Sequence, residues 1–279
     1  MTSGATVSLR GVVHLYRTPD VDVVALRGVD LDVGPGEMLA MLGPSGMGKT
    51  TVLRLMAGLL QASAGSVQVD GRDLGRMSAR ERRVLRAGLV SHVVQGAERN
   101  LLPFASSAQN VWFAQHGARA QGHAPPWEPD ELLEMFGLGD VADEPIAGLP
   151  RGMQQQVAVA TGMASGPRLL LADEPTAQLS EESGRAVVGL LERINTELGT
   201  TVVVVTHDPL VAGYFPRTVT IRDGRVGAEG RHGEEFAVVD GSGSIQLPPD
   251  VLDILAPNTR VRVIRRPDGV ELRRTETDG

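Results

Sequence analysis

Apolar and polar positions change period several times along the chain. Residues 7–16, VSLRGVVHLY, and 23–33, VVALRGVDLDV, are valine- and leucine-rich with frequent polar interruptions, which predicts two strands before the turn Gly34-Pro35-Gly36. The run Met38 to Leu42 is apolar throughout, as a strand covered on both faces must be. It ends in the glycine-rich stretch GPSGMGKTT, residues 43–51, after which VLRLMAGLL carries apolar side chains at helical spacing. Residues 66–70 read as a short strand closed by Asp70-Gly71. Ser78 is placed to cap a helix through ARERRVLRA, ahead of a strand from Leu89 to Val94.

Residues 96–165 read mostly as helix and loop, broken at Pro125-Pro126 and Pro129, and form an inserted helical subdomain. Strand and helix then alternate: RLLLAD, a helix over 181–198, TVVVVT, and VTIRD closed by Asp223-Gly224. The fold class is α/β, a parallel sheet with helices on both faces preceded by the antiparallel strands of the N-terminal part. A polar, glycine-bearing stretch at 227–235 reads as a linker, and 236–275 as a small separate β module: FAVVD, a Gly-Ser-Gly turn, IQLPP, a short helix DVLDILA, and the strands RVRVIRR and VELRR joined by Pro267-Asp268-Gly269. The last residues, TETDG, read as a loose tail.

Composition narrows the classes. With 42% hydrophobic and 22% charged residues the chain has enough apolar material for a packed core, and its 279 residues suit two domains or one core with an appendage. The absence of cysteine removes disulfide frameworks, thiolate metal sites and cysteine nucleophiles. A net charge of -7 argues against a protein that coats DNA or anionic lipid through its overall field. No apolar run approaches the ~20 residues of a membrane span, and the first residues lack the basic and apolar regions of a secretion signal, so the expected location is the cytoplasm.

Gly43, Pro44, Ser45, Gly46, Met47, Gly48, Lys49 and Thr50 match G-x-x-x-x-G-K-[ST] between a predicted strand and a predicted helix. Glycines let successive backbone N–H groups turn toward phosphate oxygens, the helix start adds its dipole, Lys49 reaches the terminal phosphates and the Thr50 hydroxyl suits magnesium. Among 27 lysines and arginines Lys49 is the sole lysine, so a compact ammonium is kept where a planar fork does not substitute. Such a loop alone leaves kinases, GTPases and many ATPases open. LLLADE, residues 169–174, gives an apolar strand ending in two acids; Asp173 is then placed for magnesium and Glu174 for the attacking water, unless the pair merely caps a helix. His207 follows another strand end, after TVVVVT.

In the order and spacing of these motifs, residues 6–226 resemble the ATP-binding subunit of an ABC transporter, a P-loop NTPase with a RecA-like sheet. The resemblance implies ATP and Mg2+ as ligands. It assigns Tyr16 to stacking on adenine, residues 43–51 through Thr51 to the Walker A loop, Gln95 to the loop that senses magnesium and the γ-phosphate, Asp173 and Glu174 to Walker B and the catalytic base, and His207 to the switch histidine. LLLADEPTAQLS and the NLLP element are similar to the branch of macrolide exporters, lipoprotein-release ATPases and the cell-division ATPase. The implied partners are a second ATP-binding subunit, identical or different, and a multi-pass membrane permease docked near Leu101 to Asn110. The implied position is peripheral on the inner face of the membrane. Two rival readings are a soluble ABC-type ATPase and a nucleotide-gated DNA-binding regulator using the C-terminal module.

The family signature departs from its LSGGQ pattern at Leu149, Pro150, Arg151, Gly152 and Met153: proline replaces serine, arginine the first glycine and methionine the glutamine. Proline brings neither hydroxyl nor N–H to a phosphate, and Arg151 puts a side chain where backbone must approach closely. Ser180 stands where the family has aspartate. Residues 236–274 resemble an AbrB-like swapped-hairpin module, which implies dimerisation or docking, while the alternating arginines read as a solvated face and speak against a nucleic-acid partner.

Overall fold

In the computed structural model the described residues are 4–17, 19, 21–231, 234–239, 243–245, 247, 249–256, 259–267 and 269–274. The chain runs β1 (Val7–Arg17), β2 (Asp22–Val33), β3 (Met38–Leu42), α1 (Lys49–Met56), β4 (Ala64–Val69), β5 (Arg72–Asp73), α2 (Ala79–Gly88) and β6 (Val90–Val93). Then come α3 (Ser107–Arg119), α4 (Pro129–Met135), α5 (Arg151–Gly162), β7 (Leu169–Asp173), α6 (Glu181–Leu198), β8 (Thr201–Val205), α7 (Pro209–Ala212) and β9 (Arg217–Arg222). It ends with β10 (Arg225–Arg231), β11 (Glu234–Ala237), α8 (Pro249–Leu252), β12 (Val261–Arg266) and β13 (Gly269–Arg274).

Three sheets result. A small antiparallel sheet has the order β2-β1-β4-β5, a central sheet the order β11-β10-β9-β3-β8-β7-β6, and β12 pairs with β13 alone. In the central sheet β9, β3, β8, β7 and β6 are parallel, and β10 and β11 extend it antiparallel. Strand alternation divides the apolar side chains between two cores. Leu39, Met41, Leu171 and Val203 face α1, α2 and the antiparallel sheet. Met38, Ala40, Leu170 and Val204 face α5 and α6 and the helical subdomain. Because both faces are covered, β3 is apolar at every position and β7 and β8 are apolar but for Asp173 and Thr201, and truncating a fully buried residue such as Leu171 to alanine costs ~2–5 kcal/mol.

Two helix ends follow from local chemistry. Ser78 and Glu81 form a reciprocal cap on α2, while α1 stops at Met56, short of the expected Leu60, because Gly58 adopts a left-handed conformation (φ 61). Among the described residues no helix is long and apolar enough to cross a membrane.

The expected linker at 227–235 is corrected. Residues 227–231 lie in β10 and 234–237 in β11, so these residues form the antiparallel edge of the central sheet, while 232 and 233 lie outside the described residues. Its small and charged residues hid a strand that needs little apolar surface: the side chain of Glu229, which pairs with Phe236, is held by Arg217. FAVVD likewise opens within the central sheet and not in a separate module. Of IQLPP, Ile245 bridges Val239, while Gln246 and Pro248 lie outside the described residues, as do Asp268 of the last turn and the expected tail at 275–279.

Arg217 ties this edge to the rest. It is 8% exposed, donates to Glu37 Oε1 (2.8 Å), Glu229 Oε1 (2.9 Å) and the carbonyl of Asp32 (2.7 Å), and so joins β9 to β2, β10 and the turn before β3. Burial opposes its charge, but the paired carboxylates dominate and hold its pKa above the usual arginine value.

Candidate functional site

The loop between β3 and α1 is held open by glycine geometry at two points. Gly43 has φ 144 and packs so closely that a Cβ would lie 2.1 Å from the Ile221 carbonyl oxygen. Gly48, the residue before α1, has φ 93 with a Cβ position 2.6 Å from the Ala25 carbonyl. Any side chain there would push the loop off β2 and β9. The first N–H groups of α1 have no side-chain cap, which leaves them directed into the cleft beside the loop.

Lys49 begins α1, is 5% exposed, and donates from Nζ to the carbonyls of Gly43 (2.5 Å) and Pro44 (2.9 Å). Burial pushes its pKa below the usual lysine value, and the charges of Glu174 and Asp173 oppose that shift. Thr50 Oγ1 donates to Asp173 Oδ1 at 3.2 Å, so the hydroxyl at the start of α1 meets the carboxylate at the end of β7.

Glu174 follows on a left-handed backbone (φ 48), a sparsely populated conformation that costs on the order of 1–3 kcal/mol. Its Oε2 accepts from His207 Nδ1 at 2.9 Å and from the His207 backbone N–H at 3.4 Å. Its side chain is 12% exposed and that of His207 is 59% exposed. The carboxylate is thus fixed from one side with its other oxygen available to the cleft.

These groups share one cleft of about 450 Å³ with Tyr16, Ser45, Gly46, Thr51 and Gln95. Tyr16 stands at its β1 wall, its hydroxyl 3.1 Å from Thr51 Oγ1 and its ring edge-on to His14 with centroids 4.7 Å apart. Gly43 and Pro44 contribute carbonyls to Lys49 from behind the cleft, and half-buried Met47 does not line it.

From the sequence alone, the side chains of two asparagines have no assigned role: Asn100 in the NLLP element and Asn110 at the end of the expected docking segment. Asn100 accepts from the Val94 N–H (3.0 Å) and donates to the carbonyls of Val94 (2.8 Å) and Gly96 (2.7 Å), pinning the bend that presents Gln95. Asn110, 3% exposed, accepts from the Leu102 N–H and donates to the carbonyls of Leu102 and Ser106, holding the Leu101–Pro103 turn on α3. The signal was faint: an asparagine following the glutamine loop, its partners all backbone groups.

The altered signature lies elsewhere. Pro150 precedes α5 with φ -58 and ψ 148, supplies no side-chain cap, and its carbonyl accepts from Met153 and Gln154 at 2.9 Å. Gln154 fastens Leu149 and Ile146 through their carbonyls. At Gly152 a Cβ would lie 2.5 Å from Ser183 Oγ and 2.6 Å from Ser183 Cβ on α6, so a side chain there would force α5 and α6 to shift. Arg151 is exposed and borders a separate recess of about 300 Å³ with Gly96, Glu98 and Gln178. So Leu149 to Met153 are not part of the cleft of their own chain. Ser180 caps α6, accepting from the Ser183 N–H at 3.3 Å.

A hydroxyl and a carboxylate in contact beside a buried ammonium and a run of helix-start N–H groups make a donor set that fits a triphosphate with a divalent cation. Among the described residues no cluster of three or more histidine, aspartate or glutamate side chains could hold a metal by itself, so a divalent cation here would need further oxygens from a phosphate or water.

Comparison with known proteins agrees with this geometry. Residues 26–177 match the family model described as ABC transporter. The chain is 40% identical over 225 residues to the lipoprotein-releasing system ATP-binding protein LolD 2 of Caulobacter vibrioides, covering 80% of this chain and 97% of that one. It is 38% identical to the macrolide export ATP-binding/permease protein MacB 1/2 of Paracoccus denitrificans over 85% of this chain but 35% of that longer protein. Among solved structures, the dimer of the bacterial ABC transporter cassette MJ0796 superposes with a TM-score of 0.70 at 30% identity, covering 81% of this chain and 98% of that one. A second MJ0796 dimer, in a post-hydrolysis state with ADP and Pi, gives a TM-score of 0.69.

Proposed function

The chain belongs to the ABC transporter ATP-binding family, and from that premise we propose that it is the ATP-hydrolysing subunit of a membrane complex of the lipoprotein-release and macrolide-export type. The observation that carries the reading is the convergence of Lys49, Thr50, Asp173, Glu174 and His207 in one cleft. Backbone N–H groups of the loop and Lys49 take the phosphates, and Tyr16 takes the adenine. Thr50, Asp173 and Gln95 would hold Mg2+, which supplies neutralisation of charge on the phosphate oxygens. Glu174 accepts the proton of the attacking water, and His207 keeps the carboxylate oriented toward it.

The chain acts as one of two ATP-binding subunits, lending Leu149 to Met153 to its partner's nucleotide. Pro150 and Arg151 weaken that contribution, because a hydroxyl and a backbone N–H are lost there. Paired with a subunit bearing an intact signature, it gives one fast and one slow site; paired with itself, two slow ones.

A multi-pass permease docks on the helical subdomain, where Phe104 (80% exposed), Trp112 (52%) and Phe113 (58%) form an aromatic surface beside the turn that Asn110 holds. This places the chain peripherally on the cytoplasmic face of the membrane. An AbrB-like role for the C-terminal segment, in dimerisation or docking, is the remaining expectation for residues beyond β11.

Steady-state ATPase of the purified chain tests the reading. Turnover that depends on Mg2+ and disappears in Glu174→Gln supports it; turnover unchanged by that substitution removes Glu174 from the chemistry. Pull-down from solubilised membranes should recover a multi-pass protein, and Phe104→Ser with Phe113→Ser should release it.

A further inference from the structure

The hairpin β12–β13 contributes no residue to either core and pairs only with itself. A sheet of two strands is marginal in water by itself, and among the described residues no third strand joins this one. The cross-strand pairs Val261 with Arg274, Val263 with Leu272 and Arg265 with Val270 set four apolar side chains on one face, with Arg265 and Arg274 at its ends. Val263 and Val270 are 62% and 66% exposed.

The charge here reverses that of the whole. Residues 260–274 carry six arginines against two acids, +4 in a chain of net -7. Glu271 is shared by Arg266 and Arg273, whereas Arg262, Arg265 and Arg274 form no ion pair among the described residues.

We propose that this face is a membrane-surface contact for anionic lipid headgroups, with Val261, Val263, Val270 and Leu272 entering the interface and the flanking guanidiniums pairing with headgroup phosphates. The combination selects among occupants. Stacking the same face of two copies would bring Arg265 and Arg274 of both together, two hairpins of like charge, which opposes self-association through this face. Duplex nucleic acid would satisfy the arginines but leave the apolar centre against phosphate and water. A lipid interface accepts both halves of the pattern, apolar side chains at the acyl boundary and arginines at the phosphates. The contact is separate from the nucleotide cleft, so ATP turnover reads the two independently.

The test is co-sedimentation of the full-length chain with vesicles of phosphatidylcholine alone and of phosphatidylcholine with phosphatidylglycerol in equal parts. The wild type is expected in the pellet with anionic vesicles, in the supernatant with neutral ones, and released by added salt. Arg265→Gln with Arg274→Gln, and separately Val263→Ser with Val270→Ser, should each weaken binding about 10-fold or more while leaving ATP turnover unchanged. Equal sedimentation with both vesicles, or sedimentation unaffected by either pair of substitutions, overturns the proposal. It is equally overturned if vesicle binding is absent and the valine pair abolishes a dimer, which gives the face to a second copy. Salt-sensitive duplex DNA binding lost in the arginine pair, again without vesicle binding, gives the face to nucleic acid and also overturns it.

Discussion

The cleft at the start of α1 and the tip of α5 meet phosphate chemistry in opposite condition. At the cleft, each requirement has its group: helix-start N–H groups, a buried ammonium, a hydroxyl in contact with a carboxylate, and a second carboxylate fixed by His207. At α5 the helix start is equally regular, yet Pro150 caps it without a side-chain bond and exposed Arg151 stands where the family has glycine. The backbone scaffold of the signature is kept, down to Gly152 against Ser183, while the groups that would touch a nucleotide are changed. Fold and chemistry can therefore part company within one helix: packing against α6 preserves the first, and only function preserves the second.

Substitution at the intact end has the largest expected effect. Glu174→Gln should lower turnover by ~10²–10⁴ with nucleotide binding retained, checked by steady-state ATPase beside binding measurements. At the altered end, Pro150→Ser with Arg151→Gly should raise turnover by about 10-fold to 100-fold, since one preorganised donor at a reacting centre is worth ~10²–10³. Fast and equal rates before and after would erase the contrast between the two ends.

Stability separates scaffold from chemistry further. Arg217→Met leaves Glu37 without a cation and Glu229 with Arg231 alone, and because those carboxylates are 26% and 22% exposed the cost should be about 2–3 kcal/mol, below the range for fully buried pairs. Urea unfolding measures it, and a change inside error would show the network to be ornamental. Ser180→Ala should cost ~1 kcal/mol through its lost helix cap, whereas Ser180→Asp keeps a capping oxygen and should stay within a few tenths.

A smaller effect is expected at His92, whose pKa is lowered from 6.5, first by burial and also by Arg54, against the opposing charge of Asp173. Its Nε2 is buried without a partner. A depressed folded value means the unfolded chain binds the proton more readily, so the contribution to stability is intact above about pH 6.5 and is lost as pH falls through the lower folded value. His92→Phe should flatten that acid-side loss in urea midpoints taken between neutral and mildly acid pH.

Much of the cleft was legible because its parts are local in sequence: an apolar strand, a glycine loop and a helix are contiguous, and Asp173 and Glu174 close another wholly apolar strand. The contacts that unite them, Thr50 with Asp173 and Glu174 with His207, follow once parallel strands β3, β7 and β8 are adjacent. Less legible were elements whose support comes from far along the chain. Strands β10 and β11 look like linker because glycine and paired charges replace apolar alternation, and their key residue, Arg217, finds its partners in Asp32 and Glu37, far back in the chain. Asn100 and Asn110 act on backbone groups, which carry no sequence mark.

Calorimetric titration with ATP and Mg2+, run on the wild type and on Lys49→Ala, bears most directly on the central claim that the cleft at α1 grips a triphosphate. Saturable uptake of one nucleotide per chain by the wild type, lost or weakened at least ~100-fold in the variant, is the predicted result. No uptake by the wild type, or equal uptake by both proteins, would contradict it.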